Sequence, residues 1–294
     1  MAAQQVAKSR YRCPNFVCGL VVRLVGLEIA MRKLLLTIAY DGTDYIGWQK
    51  QDKRHGTSIQ ETLEKSLSKV LREPVTVHAS GRTDSGVHAL GQTAHFVTDK
   101  PIPLESLPRA INNILPVSIR ILDARTVDED FHARFTVKEK TYRYYILLTE
   151  GRPISPFISR YVWEYPYRLD LAAMSKAAEL FVGKHDFRRF CVKGSSVSTY
   201  EREIYWSELC LREAEFMPFA EEVKKNLLCF EICGNGFLYK MVRIIVARLV
   251  AVGQGRLEVS DIAALLKGSE GYKASVPAPP QGLYLYSTKY PQIS

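Results

Sequence analysis

The sequence predicts an α+β protein made of two split βαβ halves, each an antiparallel sheet carrying its helices on one face. Between residues 33 and 121 the hydrophobic period changes in the order strand, helix, strand, strand, helix, strand. From residue 141 the same idea returns with longer loops. The length of 294 residues, with 47% hydrophobic and 24% charged residues, suffices for two medium domains with real cores.

In residues 33–40, Leu34, Leu36, Ile38 and Tyr40 share one side, the period of a strand. Ser58-Ile59-Gln60-Glu61 has the form of a capping box, and Ile59, Leu63, Leu67, Val70 and Leu71 then recur at helical spacing until Pro74. Val75, Val77 and Ala79 alternate as a strand, with residues 93–97 as its partner. Pro103 opens a second helix carrying Leu104, Leu107, Ile111 and Leu115, and Val117, Ile119 and Ile121 form the next strand.

In the second half, residues 141–148 read as a strand. Asp170 caps a helix bearing Leu171, Met174, Ala178 and Phe181, which Gly183 stops. Residues 205–211 and 227–233 read as strands around the charged loop 213–226. A long helix over 237–252 turns Met241, Ile244, Ile245, Leu249 and Val252 inward, a short one covers 260–267, and residues 282–290 alternate as a last strand. The expected division is an extension over 1–30, one domain over 31–130 and a second over 131–294. The halves are expected to join their sheets around one cleft, with the open sheet face as an RNA platform.

Residues 1–30 differ from the rest. The apolar run 16–30 is broken by Arg23 and Glu28, too short and too charged to span a membrane. Lys8, Arg10 and Arg12 imitate a signal-peptide start, yet Arg23 interrupts the apolar region and no clean cleavage site follows. Two readings stay open: a transit peptide for an organelle, or a dispensable extension ahead of a natural start at Met31.

The net charge of +9 and pI of about 9.2 favour an acidic partner. Residues 131–200 hold twelve Lys and Arg against six Asp and Glu, together with 14 of the 31 aromatics, including Tyr142, Tyr144, Tyr145, Tyr161 and Trp163. Cations track phosphates and aromatic faces stack bases, so this mixture suits RNA better than lipid. The cysteines Cys13, Cys18, Cys191, Cys210, Cys229 and Cys233 form neither a disulfide framework nor the four-ligand pattern of structural zinc. They read as reduced, buried small hydrophobes of a cytosolic-type protein, and no metal is expected.

The densest chemistry lies in residues 81–96, G-R-T-D-S-G-V-H-A-L-G-Q-T-A-H-F. Gly81 and Gly86 free the backbone for a turn that presents Arg82 and Asp84 outward. On local chemistry alone, Asp84 and Ser85 are also ordinary turn formers. The whole run, however, closely resembles the signature of the tRNA pseudouridine synthase A family. Further segments match in order: Ala39-Tyr40-Asp41-Gly42 with Gly47-Trp48-Gln49, residues 130–135 (D-F-H-A-R-F), Tyr142-Arg143-Tyr144, Met241-Val242-Arg243, and Gly282-Leu283-Tyr284-Leu285.

The resemblance implies the pseudouridine synthase fold, a tRNA substrate, no cofactor, a homodimer and a cytoplasmic location. It makes Asp84 the catalytic residue and Tyr142 the active-site tyrosine. Arg243 becomes the helix arginine aimed at the aspartate, and Leu283 an apolar residue against the base. Arg82 would meet the RNA backbone or fill the space left by a flipped nucleotide. The family's targets are uridines 38, 39 and 40 of the anticodon stem-loop. Arg188, Arg189 and Lys240 are further candidate RNA contacts. His88 and His95 fit no metal spacing and read as structural or RNA-facing. Ser85 stands where the family often has alanine, and the charged loop 212–225 is longer than in the compact bacterial form. Two alternatives stay open: a family member with other or broader targets, and a non-catalytic RNA-binding protein.

Overall fold

The computed structural model describes residues 31–51, 56–192, 198–211, 226–269 and 275–291. The expectations for residues 1–30, for Cys13 and Cys18, and for the loop 212–225 lie outside the described residues.

Strand β1 (Arg32–Tyr40) sends Leu34, Leu36, Ile38 and Tyr40 into the core as the alternation predicts. Helix α1 (Ile59–Leu71) starts at Ser58, whose hydroxyl accepts from the Glu61 amide at 3.1 Å, a cap that typically contributes about 1 kcal/mol. The expected strand over 75–79 shrinks to β2 (His78–Ala79). The reason is competition for its amides: Val75 N donates to Ser68 Oγ and Val77 N to Glu64 Oε1, so helix α1 and its C-terminal turn take the ladder's donors. Strand β3 (His88–Thr98) is correspondingly longer than expected. The helix after Pro103 splits into a 3₁₀ turn, Leu104–Ser106, and α2 (Leu107–Asn112), because Pro108 sits at the start of the second piece. Val117 is 87% exposed and precedes β4 (Ile119–Val127).

The second half runs through β5 (Glu139–Leu148), α3 (Pro156–Ser159), β6 (Trp163–Tyr165), α4 (Leu171–Glu179), β7 (Gly183–Asp186), β8 (Glu201–Leu211), β9 (Leu227–Gly234), α5 (Met241–Gly253), α6 (Val259–Leu266) and β10 (Leu283–Lys289). Asp170 caps α4 by accepting from Ala173 N. Helix α5 begins four residues later than its apolar pattern suggests, because Lys240 stands in the left-handed region at φ 59°. Phe237 is thereby released from the helix. Cys229 and Cys233 are buried thiols, while Cys191 and Cys210 are half-buried.

The strand order is β4-β1-β3-β10-β5-β9-β8-β7, with β2 on β3 and β6 on β5. Each half has the split βαβ order: β4-β1-β3-β2 in the first and β10-β5-β9-β8 in the second. The halves join edge to edge in one continuous sheet. At the seam β10 runs antiparallel to β5 but parallel to β3, with Tyr284 opposite His88 and Leu285 opposite Ala89. One core then spans both halves, built from β1, Tyr142, Tyr144 and Ile146 of β5, Leu283 and Leu285 of β10, and helices α1, α2, α4 and α5. The other face packs Tyr145, Leu147 and Tyr284 against Ile158 and Val162.

Candidate active site

The turn over residues 81–87 is held at both ends and in the middle. Ser80 N donates to Thr93 O at 2.8 Å, and Gln92 Nε2 donates to Gly81 O at 2.9 Å. The Thr83 hydroxyl lies 2.8 Å from Tyr40 Oη, and Thr83 O accepts from Trp48 N at 3.0 Å. Val87 N closes the turn on Asp84 O at 3.2 Å. The opening loop packs tightly on it: a Cβ on Gly47 would lie 2.6 Å from Thr83 O and 3.0 Å from the Asp84 carbonyl carbon, and Gly47 sits at φ 105°. The segments 39–49 and 81–86 are therefore one structural unit. Ser85 adds its own tie, donating from Oγ to Tyr45 O at 3.0 Å.

This unit aims Asp84 at helix α5. Arg243 Nη1 donates to Asp84 Oδ2 at 2.9 Å, with the two side chains 12% and 19% exposed. The guanidinium is fixed from its other end by Nε donating to Ala278 O at 2.7 Å, while Ala278 N donates back to Arg243 O. A carboxylate that accepts a charge-assisted hydrogen bond from a clamped guanidinium is held in one orientation.

Tyr142 completes the group. It is 7% exposed, and the released Phe237 packs edge-on against its ring at 4.9 Å. Burial, then Tyr40 and the Asp84 charge, push its phenol well above the ordinary tyrosine range, so it keeps its proton. Leu283 is buried on β10, directly across from Tyr144. Tyr144 itself is a core residue, with its hydroxyl donating to Pro279 O at 2.7 Å and its ring against Gly282.

Asp84, Tyr142, Arg243 and Leu283 are thus assembled on the face of the sheet that carries the helices. The expected platform on the open face does not hold them, because Arg243 can reach Asp84 only from α5. Arg82 is exposed beside the turn, with no hydrogen bond or ion pair among the described residues. Lys240 lies one helical turn before Arg243, its ammonium 5.0 Å from the Tyr239 ring. Arg188 is occupied by Asp186, at 2.7 Å and 2.9 Å, which holds that carboxyl below its usual range. Arg189 reaches Gly268 O at 3.5 Å. The contacts of Arg188 with Asp186 and of Arg189 with Gly268 lie in segments other than the Asp84 turn.

The two histidines of the 81–96 run serve structure. His88 is 1% exposed, with Nδ1 3.1 Å from Gly42 N and 3.2 Å from Asp41 Oδ1. Burial opposes ionisation of Asp41, yet hydrogen bonds with His88 and Thr43 outweigh it and hold the carboxyl low. His95 accepts from Ala133 N at 3.2 Å, and burial together with His132 and His78 lowers its pKa to about 4. The residues missed by sequence reasoning are Phe237, hidden in an apparent helix, and Ala278, which acts through a backbone carbonyl.

A profile of the family described as tRNA pseudouridine synthase matches residues 36–136 and 177–291. The tRNA pseudouridine synthase A of Caldicellulosiruptor saccharolyticus is 41% identical over 260 residues, covering 88% of this chain and all of the relative. That of Ruminiclostridium cellulolyticum is 44% identical over 260 residues, again 88% of this chain and all of the relative. That of an Exiguobacterium species is 40% identical over 263 residues, covering 90% of this chain and all of the relative.

Proposed function

The chain belongs to the tRNA pseudouridine synthase family, and from this premise we propose how its residues divide the work. The protein is an isomerase that converts uridine to pseudouridine in tRNA. The C1′–N1 glycosidic bond breaks, C1′ bonds to C5, the C5 proton leaves and N1 takes a proton up. Nothing is oxidised or reduced.

Asp84 is the carboxylate that acts on the substrate, as nucleophile or base. The observation that carries this reading is the Asp84–Arg243 pair at 2.9 Å in a largely buried setting, with the arginine anchored on Ala278 O. Arg243 keeps the carboxylate aimed. Tyr142 supplies a ring face for uracil and a protonated phenol for proton movement. Leu283 packs on the base, and exposed Arg82 meets the strand or replaces the flipped nucleotide. Flipping is needed because the reacting atoms are shielded within a stacked stem. The division near residue 130 is functional on this reading: residues 31–130 bring Asp84, and residues 131–294 bring Tyr142, Arg243 and Leu283.

The targets are uridines 38, 39 and 40 of the anticodon stem-loop, and the enzyme works as a homodimer in the cytoplasm. No helix among the described residues is long and apolar enough to cross a membrane. A map of pseudouridines in tRNA from cells with and without this protein tests the assignment: loss at 38–40 alone supports it, and loss elsewhere with 38–40 intact overturns the target. A pure RNA binder has no use for a carboxylate clamped beside a phosphate-rich ligand.

Tyr142→Phe is expected to slow the single-turnover rate by roughly 10²-fold, the lower end of the scale for general acid–base assistance, with tRNA affinity little changed. Rates equal to wild type would reduce Tyr142 to a stacking surface.

A further inference from the structure

Lys140 lies against the Asp84 turn, and Arg134 and Arg202 are near enough for their charges to act on it; none of the three has an acidic partner among the described residues. Lys140 is the second residue of β5, two before Tyr142, and therefore points to the same sheet face. Its Nζ donates to Ser80 O at 2.6 Å and lies 3.1 Å from where a Cβ on Gly81 would be. Arg202 of β8 reaches the loop leading to Phe237, its Nε 3.7 Å from a Cβ position on Gly236. Its own hydrogen bonds go to the carbonyls of Thr199 and Glu201. Arg134 comes from the segment joining the halves and is exposed.

Carbonyls do not neutralise cations. Burial, then the charges of Arg134 and Arg202, lower the Lys140 amine to about 8. Holding like charges together is unfavourable unless an anion binds among them. An ammonium has three donors, and Ser80 O uses one. Beside this group Phe135 is 75% exposed, with the Arg134 guanidinium 5.6 Å from its ring. An exposed aromatic next to an anion site suits a nucleotide strand better than a free anion.

Resting on the tRNA reading above, we propose that Lys140, Arg134 and Arg202 hold one phosphate of the tRNA strand beside the Asp84 turn. The phosphate fixes the strand where it passes from the body of the RNA to the flipped nucleotide. Lys140 also reports on occupancy, since a bound phosphate favours its charged form.

The test measures affinity for transcribed tRNA across a salt series, using the full chain. Lys140→Met is expected to weaken binding roughly ten- to hundredfold, as loss of a charged hydrogen bond does. It should flatten the log–log salt slope by roughly 0.7–0.9, the value of one phosphate contact. Lys140→Arg should keep both affinity and slope. Arg134→Gln and Arg202→Gln leave the Ser80 contact in place and should flatten the slope in the same direction. Wild-type affinity should fall as pH rises through about 8, where the free amine loses its proton, and Lys140→Arg should remove that fall. Unchanged slopes in both arginine variants overturn the proposal. So does a Lys140→Met protein that loses only thermal stability, which would make Lys140 a tie to Ser80. Tritium release by the wild type on the same tRNA keeps the two readings apart: active wild type with unchanged slopes sinks the phosphate site alone, and altered slopes with inactive wild type sink the reaction alone.

Discussion

Asp84→Asn is expected to abolish pseudouridine formation, with a loss of at least about 10³-fold, while tRNA binding stays nearly unchanged. Losses of that order or larger follow removal of a group that itself reacts. The substitution keeps size and shape, and the Asn carbonyl oxygen can still accept from Arg243 Nη1, now 2.9 Å from Asp84 Oδ2. The turn should persist, because its bonds run through Thr83, Gln92, Trp48 and Val87 rather than through the Asp84 side chain. What disappears is the negative charge, and with it nucleophile or base. Release of tritium from uracil C5 in labelled tRNA measures turnover, and filter binding measures affinity. Asp84→Ala guards against slow deamidation of Asn back to Asp. Substantial tritium release by both variants would remove Asp84 from the chemistry, and a parallel collapse of affinity would give it a binding role instead.

The parts of the fold that could be read from sequence are those whose signal is local. Strand β1 and helix α1 follow from a period of two and from Ser58 with Glu61, since alternation and capping act within a few residues. Elements governed by distant partners were not legible. Val75 and Val77 alternate correctly, but Ser68 and Glu64 take their amides. Strands β6 and β7 are three and four residues long and exist because β5 and β8 offer them edges. The start of α5 depends on the left-handed Lys240, a position where a non-glycine residue gives no warning.

The site was less legible than the fold. Local chemistry marks a turn at Asp84 but also fits an ordinary turn former, and Tyr142 and Arg243 look like core and snorkelling residues, so all three are singled out only by resemblance to a family. The two-sided grip on Arg243 was invisible, because one of its partners is a backbone carbonyl. Gly47 reads as a generic loop glycine until the Thr83 carbonyl is seen 2.6 Å from its missing Cβ. The position of the site on the helix-bearing face follows from the edge-to-edge seam at β10, a pairing across most of the chain that no local pattern encodes.

That grip makes Arg243 the second residue whose loss should be severe. Arg243→Met keeps an unbranched stem of similar bulk but leaves Asp84, with 19% of its side chain exposed, without its cation. Arg243 both compensates the charge of the carboxylate and fixes its direction, so its removal takes away the aim and the charge-assisted hydrogen bond together. At neutral pH the single-turnover rate at saturating tRNA should fall on the order of 10²-fold, comparable to loss of a preorganised electrostatic contact. Arg243→Lys should fall between the two: it keeps a positive charge, but an ammonium lacks the planar fork that spans Ala278 O and Asp84 Oδ2 together. The order Arg, Lys, Met in rate is the expected outcome. A methionine variant with a wild-type rate would deny Arg243 any part in activating Asp84. Equal losses for lysine and methionine would make its role one of packing α5 against the 278–280 segment instead of charge.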